Sequence, residues 1–148
     1  MFIRNKLVPE LIVTDLPRSL HFWTTLVGFE IAYERPEEGF AYLDLNGAQI
    51  MLEQHNSVEQ QWLSDELAAP FGRGINLQIE VICVDSVIDR LQNAQWPLFL
   101  PREIVWYRAG AKEVGQCQFL VQDPDGYLVR LVENLGERSA SSQSSELD

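Results

Sequence analysis

The chain has 148 residues and a formal charge of −11, with 22 acidic side chains against 11 basic ones. That length suffices for one domain with a buried core, and 46% hydrophobic residues is the composition of an ordinary globular protein. The acidic excess repels phosphate backbones and argues against nucleic acid as a partner, while it favours solubility and attracts cations. No apolar run approaches the ~20 residues that span a bilayer, and the first six residues lack a signal-peptide pattern, so a cytoplasmic protein is expected.

Residues 7–13 read as a strand, apolar and β-branched up to Thr14-Asp15. Asp15 is a capping residue and Pro17 suits a first helical turn, so a helix is expected to about Leu26, with Leu20, Trp23, Thr24 and Val27 inward. Gly28 stops it. Residues 29–33 and 40–45 read as strands joined by a turn at 36–39. Asn46-Gly47 is a tight-turn signal, and 49–54 is the next strand. Residues 55–73 link two halves; 58–67 is expected to form a short helix with Trp62 and Leu63 inward, and 71–74 a loop.

The second half repeats the first. Residues 75–81 read as a strand, Asp85 caps a helix with Val87, Ile88 and Leu91 on one face, and Trp96-Pro97 leads to a strand at 98–100. Residues 104–107 and 117–121 pair around 109–115, a hairpin loop or a flap. In Asp123-Pro-Asp-Gly126 the proline presets φ and the glycine accepts a positive φ, so this is a tight turn. A last strand spans 127–133, and the serine-rich acidic stretch 136–148 is expected to be a disordered tail. The two cysteines, Cys83 and Cys117, are expected to be buried reduced thiols.

Such a repeat predicts an α+β fold. Two tandem βαβββ modules, about 5–55 and 74–135, build a curved mixed sheet around a cleft in a single domain of 1–135. Period two puts Val8, Glu10 and Ile12 on one face, as it does Gln49, Met51 and Glu53, then Asn76, Gln78 and Glu80, then Leu128, Arg130 and Val132. Parity alone leaves open which face lines the cleft.

Three segments carry a family resemblance: Val13-Thr-Asp-Leu-Pro-Arg-Ser-Leu-His-Phe-Trp23, Gly28-Phe-Glu30 and Asp123-Pro-Asp-Gly-Tyr-Leu-Val129. They resemble the vicinal-oxygen-chelate superfamily of glyoxalases, extradiol dioxygenases, and fosfomycin- and bleomycin-resistance proteins. The resemblance covers about 7–135. It implies four metal-ligand positions, which fall here on Val8, Glu53, Asn76 and Arg130. Only Glu53 is a good ligand: Val8 has no donor, Asn76 is a weak neutral donor, and Arg130 is a permanent cation. A catalytic metal takes about three protein ligands, so neither metal nor cofactor is expected. His21 reads as a helix-surface residue and His55 as a linker residue near the cleft mouth.

The segments 47–53 and 123–134 are similar to the bleomycin-resistance branch, which implies a homodimer that sequesters a cationic or aromatic antibiotic without catalysis. The expected function is therefore small-molecule binding in a dimer cleft, with antibiotic resistance as the implied role. The expected ligand-binding residues are Phe40, Tyr42, Glu53, Trp62, Asn76, Trp106, Tyr107 and Arg130. Core packing remains open for Trp62 and Trp106 and is expected for Trp23 and Trp96. Glu53 and Arg130 either pair where a metal would sit or remain two solvated charges. The alternatives are a metal-dependent glyoxalase- or dioxygenase-like enzyme with displaced ligands such as Glu10, His55, Gln78 or Glu80, and a regulatory or assembly protein with a filled cavity.

Overall fold

The computed structural model describes residues 2–58 and 61–140. It holds two units, each built on one four-stranded mixed sheet. Unit 1 comprises the chain up to Ile75 together with Gln122–Tyr127; unit 2 comprises Asn76–Val121 and the chain from Leu128 onward.

In unit 1 the elements run β1 (Glu10–Val13), α1 (Leu16–Leu20), β2 (Glu30–Arg35), β3 (Phe40–Leu45) and β4 (Ala48–Gln54). The sheet order is β1-β4-β3-β2, with β1 parallel to β4 and the other pairs antiparallel. Unit 2 repeats this with β5 (Asn76–Glu80), α2 (Val84–Asn93), β6 (Leu100–Ala109), β7 (Lys112–Gln122) and β8 (Leu128–Ser139), in the order β5-β8-β7-β6. The α+β fold and the tandem βαβββ modules are those the repeat predicts.

The Asp15 carboxylate starts α1 by accepting from the Arg18 N–H at 3.2 Å. The helix then departs from the expected regular form, because residues His21–Val27 make a π-helical turn. The wider turn rotates the buried face, so that consecutive rings Phe22 and Trp23 both enter the core, edge to face at 5.4 Å, with Leu26 and Val27. Leu20 and Thr24, expected inward, are only half-buried. Gly28 ends the turn at φ 115°. Asn46 and Gly47, at φ 49° and 98°, close the hairpin between β3 and β4.

The Asp123–Gly126 turn is part of the frame of unit 1. Asp123 Oδ1 accepts from the N–H groups of Asp125 and Tyr127 at 3.0 and 2.9 Å, and Oδ2 accepts from Trp23 Nε1 at 3.3 Å. Asp125 accepts from Thr14, and the Tyr127 hydroxyl donates to the Ile12 carbonyl at 2.9 Å. Burial outweighs these bonds and pushes the Asp123 carboxyl up to about 6.

Five further expectations are corrected. Cys83, not Asp85, is the N-cap of α2, and the first N–H, of Val84, is satisfied at 3.0 Å by Glu133 reaching from β8. Cys83 is exposed, whereas Cys117 is buried. The described part of 58–67 forms bends rather than a helix, and Trp62 is 92% exposed, because nothing in that segment gives its ring a partner to pack on; residues 59 and 60 lie outside the described residues. The strands expected at 98–100 and 104–107 merge into β6, whose pairing with β7 is irregular between Leu100 and Glu103, where Pro101 has no N–H to give the ladder. The segment 108–115 is a plain hairpin turning through Gly110 at φ 67°. β8 continues to Ser139, and the remainder of the stretch expected as a tail, from 141 on, lies outside the described residues.

Candidate functional site

In each unit one sheet face is sealed by the helix. In unit 1 that face carries Leu11, Val13, Ala41, Leu43, Ile50 and Leu52, all buried. In unit 2 it carries Ile79, Cys117, Phe119, Val121, Val129 and Leu131, buried with Val87, Ile88 and Leu91 of α2. The opposite faces, one residue out of phase, hold the chemistry.

On the open face of unit 1, strand register sets Phe40 opposite Glu53 and Arg35, and Tyr42 opposite Met51 and Tyr33. Tyr33 and Tyr42 stack at 5.1 Å with their planes 19° apart, and Phe40 lies 6.0 Å from Tyr33. The Tyr42 hydroxyl donates to Gln49 Oε1 at 2.6 Å, and the Gln49 amide donates to the Ile3 carbonyl at 2.7 Å and to Asp44 at 2.8 Å. The N-terminal segment is thereby fastened over this end of the face, with Phe2 against both tyrosines. Tyr42 is consequently buried, at 1% exposure. Burial, followed by the nearby Tyr33 and offset by Arg4, raises its pKa.

Glu10 and Glu53 share this face from adjacent strands β1 and β4. Burial first, and the charge of Glu53 second, raise the pKa of Glu10; Arg35 pulls it back. The Arg35 guanidinium lies 4.1 Å above the Phe40 ring and is paired to Glu38 at 2.9 Å. His55 is elsewhere in unit 1, at the rim of a polar cleft of about 420 Å³ with Glu37, Glu38 and Gln61.

The open face of unit 2 has a different character. Gln78 stands opposite Arg130, and Asn76 opposite Leu128. The Gln116 amide reaches toward Gln78 at 3.5 Å and donates to Gln118 at 3.0 Å. The Gln118 amide donates to Glu103 at 3.0 Å and to the Tyr107 hydroxyl at 2.8 Å. Arg130 is half-buried, and its Nε has no partner. Neither Arg130 nor Glu53 forms an ion pair within its own unit among the described residues.

The structure therefore sets Phe40, Tyr42 and Glu53 on neighbouring strands of one face of unit 1, and Tyr107 and Arg130 on strands β6 and β8 of unit 2 with β7 between them, Asn76 being on the same strand as Gln78. Trp106 points to the other side of the β6–β7 ribbon from Tyr107. Its ring covers Gly115, where an added Cβ would lie 2.7 Å from ring atoms, and the Arg138 guanidinium sits 4.2 Å above it. Trp62 stands in the linker and is exposed. Sequence reading passed over Tyr33, Arg35, Gln116 and Gln118. The 36–39 turn was the available signal for the first two, since it folds Arg35 back on Phe40; the alternation Gln116-Cys-Gln118 was the signal for the others.

Comparison with known proteins places this arrangement. Residues 7–131 match the Glyoxalase/Bleomycin resistance protein/Dioxygenase superfamily. The chain belongs to that superfamily. A superfamily member from Vibrio splendidus is 36% identical over 86% of this chain and 97% of its own, with a TM-score of 0.39. TioX from a Micromonospora species is 22% identical over 89% of this chain and 100% of its own, with a TM-score of 0.65. A protein of unknown function from Agrobacterium tumefaciens is 23% identical over 91% and 98%, with a TM-score of 0.66. No curated protein matches the chain.

Metal-dependent members of the superfamily hold a divalent ion, and the donor set here does not fit one. Val8, Asn76 and Arg130 leave Glu53 as the one strong donor at the corresponding positions, and a guanidinium repels a cation. Among the described residues no three His, Cys, Asp or Glu side chains gather into a metal-binding group, the displaced candidates Glu10, His55 and Glu80 included. No helix among the described residues is long and apolar enough to cross a membrane.

Proposed function

We propose that this protein is a non-catalytic binding protein of the bleomycin-resistance type, which sequesters a cationic or aromatic small molecule in a cleft of a homodimer. The observation that carries the reading is Arg130: a half-buried guanidinium in the middle of β8, its Nε unpartnered, where a metal-dependent relative needs an anionic or imidazole ligand. The open face of unit 1 supports the same reading. Tyr33, which stacks on buried Tyr42 beside Phe40, is partly exposed there, and with two carboxylates on the same face it offers ring area and negative charge, which suit flat or cationic ligands. The proposed ligand-binding residues are Phe40, Tyr42 and Glu53 in unit 1 and Asn76, Tyr107 and Arg130 in unit 2.

The homodimer in the proposal draws on the exposed apolar side chains Phe99, Leu100 and Ile104 on and beside β6, more than a monomer needs to leave in water. We place the protein in the cytoplasm and its role in antibiotic resistance. The test is titration of the purified protein with bleomycin, followed by tryptophan fluorescence, with its mass in solution measured by light scattering. Saturable quenching by a species of twice the 17.0 kDa chain mass is expected. A monomer with no response to bleomycin contradicts the proposal.

A further inference from the structure

The cation over Phe40 comes from the protein itself. Arg35 is on β2, directly opposite Phe40 in the antiparallel ladder. Its guanidinium is 4.1 Å from the centre of the Phe40 ring and 6.0 Å from that of Tyr33. A ring face attracts a cation because its quadrupole is negative above the plane. The same sheet face carries Glu10 and Glu53, close enough for the charge of Glu53 to act on Glu10, and Arg35 is the cation that acts on Glu10 there. The other charges of this face lie by Tyr42, where Arg4 and Asp44 act in opposite directions.

Among the described residues Arg35 is ion-paired to Glu38, through an i,i+3 pair whose side chains are 44% and 59% exposed. Exposed pairs of this kind are weak, so the guanidinium is held mainly by the ring contact itself, which a competing cation can replace. It is tethered by its own flexible stem, at the sheet edge, with water on its far side. The geometry is that of a cation site occupied by a tethered, replaceable cation.

We propose that Phe40, Tyr33, Glu10 and Glu53 form a site for an alkylammonium group, and that Arg35 is its resident competitor, which the ligand's cation must displace. The proposal rests on reading this face as a ligand surface, and it narrows the ligand to one that bears a quaternary or substituted ammonium. Arg35 thereby sets specificity: a neutral aromatic compound gains nothing that the guanidinium does not already supply, whereas a bulky cation gains the ring face and both carboxylates.

The experiment is calorimetric titration of the full chain with choline and with its neutral isostere 3,3-dimethylbutan-1-ol, in wild type, Arg35→Gln and Arg35→Lys. Arg35→Gln is expected to bind choline roughly tenfold more tightly than wild type, Arg35→Lys to resemble wild type, and the neutral isostere to bind none of them measurably. Adding Phe40→Leu to Arg35→Gln is expected to abolish the gain, and the amide resonances of the variants report that each is folded. Choline binding that Arg35→Gln leaves unchanged or weakens overturns the proposal, as does equal binding of choline and the isostere. The two readings fail separately: bleomycin bound with no gain in Arg35→Gln removes the resident cation alone, and a choline gain without bleomycin binding removes the sequestration reading alone.

Discussion

The two units are one architecture with two surfaces. Both place a parallel strand pair beside an antiparallel hairpin, and both bury the same phase of each strand beneath a helix. Their open faces have gone separate ways: unit 1 carries tyrosines, Phe40 and carboxylates, and unit 2 carries a glutamine ladder, Tyr107 and an arginine whose Nε has no partner. The helix-side phase is fixed by packing, which demands apolar volume and little else. The open phase mixes buried rings and glutamines with charged side chains, so it carries polar chemistry that the helix side does not. In a duplicated fold the difference between repeats is therefore informative where it lies on the open face and uninformative where it lies in the core.

The largest effects expected are those that test the equivalence of the cores. Leu43→Ala in unit 1 and Phe119→Ala in unit 2 each remove a side chain that is fully buried, and each is expected to cost about 3 to 5 kcal/mol in urea unfolding. A loss under about 1 kcal/mol at either position would mean that the corresponding core is loosely packed and the comparison fails.

A difference between the halves follows from the Asp123–Gly126 turn. The Asp123 carboxyl titrates at about 6 in the folded protein, above its ordinary 3.8, because burial disfavours the ionised form. The native state therefore holds this proton more tightly than the unfolded chain. The resulting penalty is absent below the unfolded value, grows as pH rises from about 4 to 6, and is complete above, at about 2 to 3 kcal/mol. Asp123→Asn is expected to remove this component of the pH dependence. In the wild type the fluorescence of Trp23, whose indole donates to this carboxylate, is expected to follow the same titration. Identical pH profiles of stability for the two proteins would show that Asp123 keeps its ordinary pKa.

Smaller again is the test of Trp106. Gly115→Ala sets a methyl group against its ring, and is expected to cost about 1 to 3 kcal/mol by displacing it, with no change in choline affinity. A change in ligand binding without loss of stability would move Trp106 from the frame of unit 2 to its ligand surface.

The least disruptive prediction uses the cysteines. Cys83 is exposed, and hydrogen bonds from Ser86 lower its thiol pKa, whereas burial pushes Cys117 up. Iodoacetamide at neutral pH is expected to alkylate Cys83 and spare Cys117 until the protein is unfolded, as read by mass spectrometry. Equal labelling would place Cys117 at the surface.

Sequence reading served best where local chemistry decides the backbone. Asn46-Gly47, Gly28 and Asp123-Pro-Asp-Gly126 each fix a turn through positive φ or proline, and each is where it was expected. It served less well where a distant group decides. Nothing near α2 announces that Glu133 supplies its cap, and the π-helical turn exists because Phe22 and Trp23 must both enter one core. The helix expected at 58–67 followed a pattern of apolar residues that lacks a packing partner. For the site, Phe40 and Tyr42 were legible as rings and Glu53 as one of the four positions the resemblance implies, but not as neighbours across β3 and β4. Tyr33 and Arg35 were not, because their importance comes from cross-strand register rather than from their own segment.

The central claim is that this superfamily member binds without a resident metal. The most direct test is the metal content of untagged purified protein by inductively coupled plasma mass spectrometry. The account predicts metal far below one ion per subunit, since Arg130 and Val8 stand where ligands would be needed. One zinc, nickel, manganese or iron per subunit would contradict it and assign a metal site to residues outside those four positions.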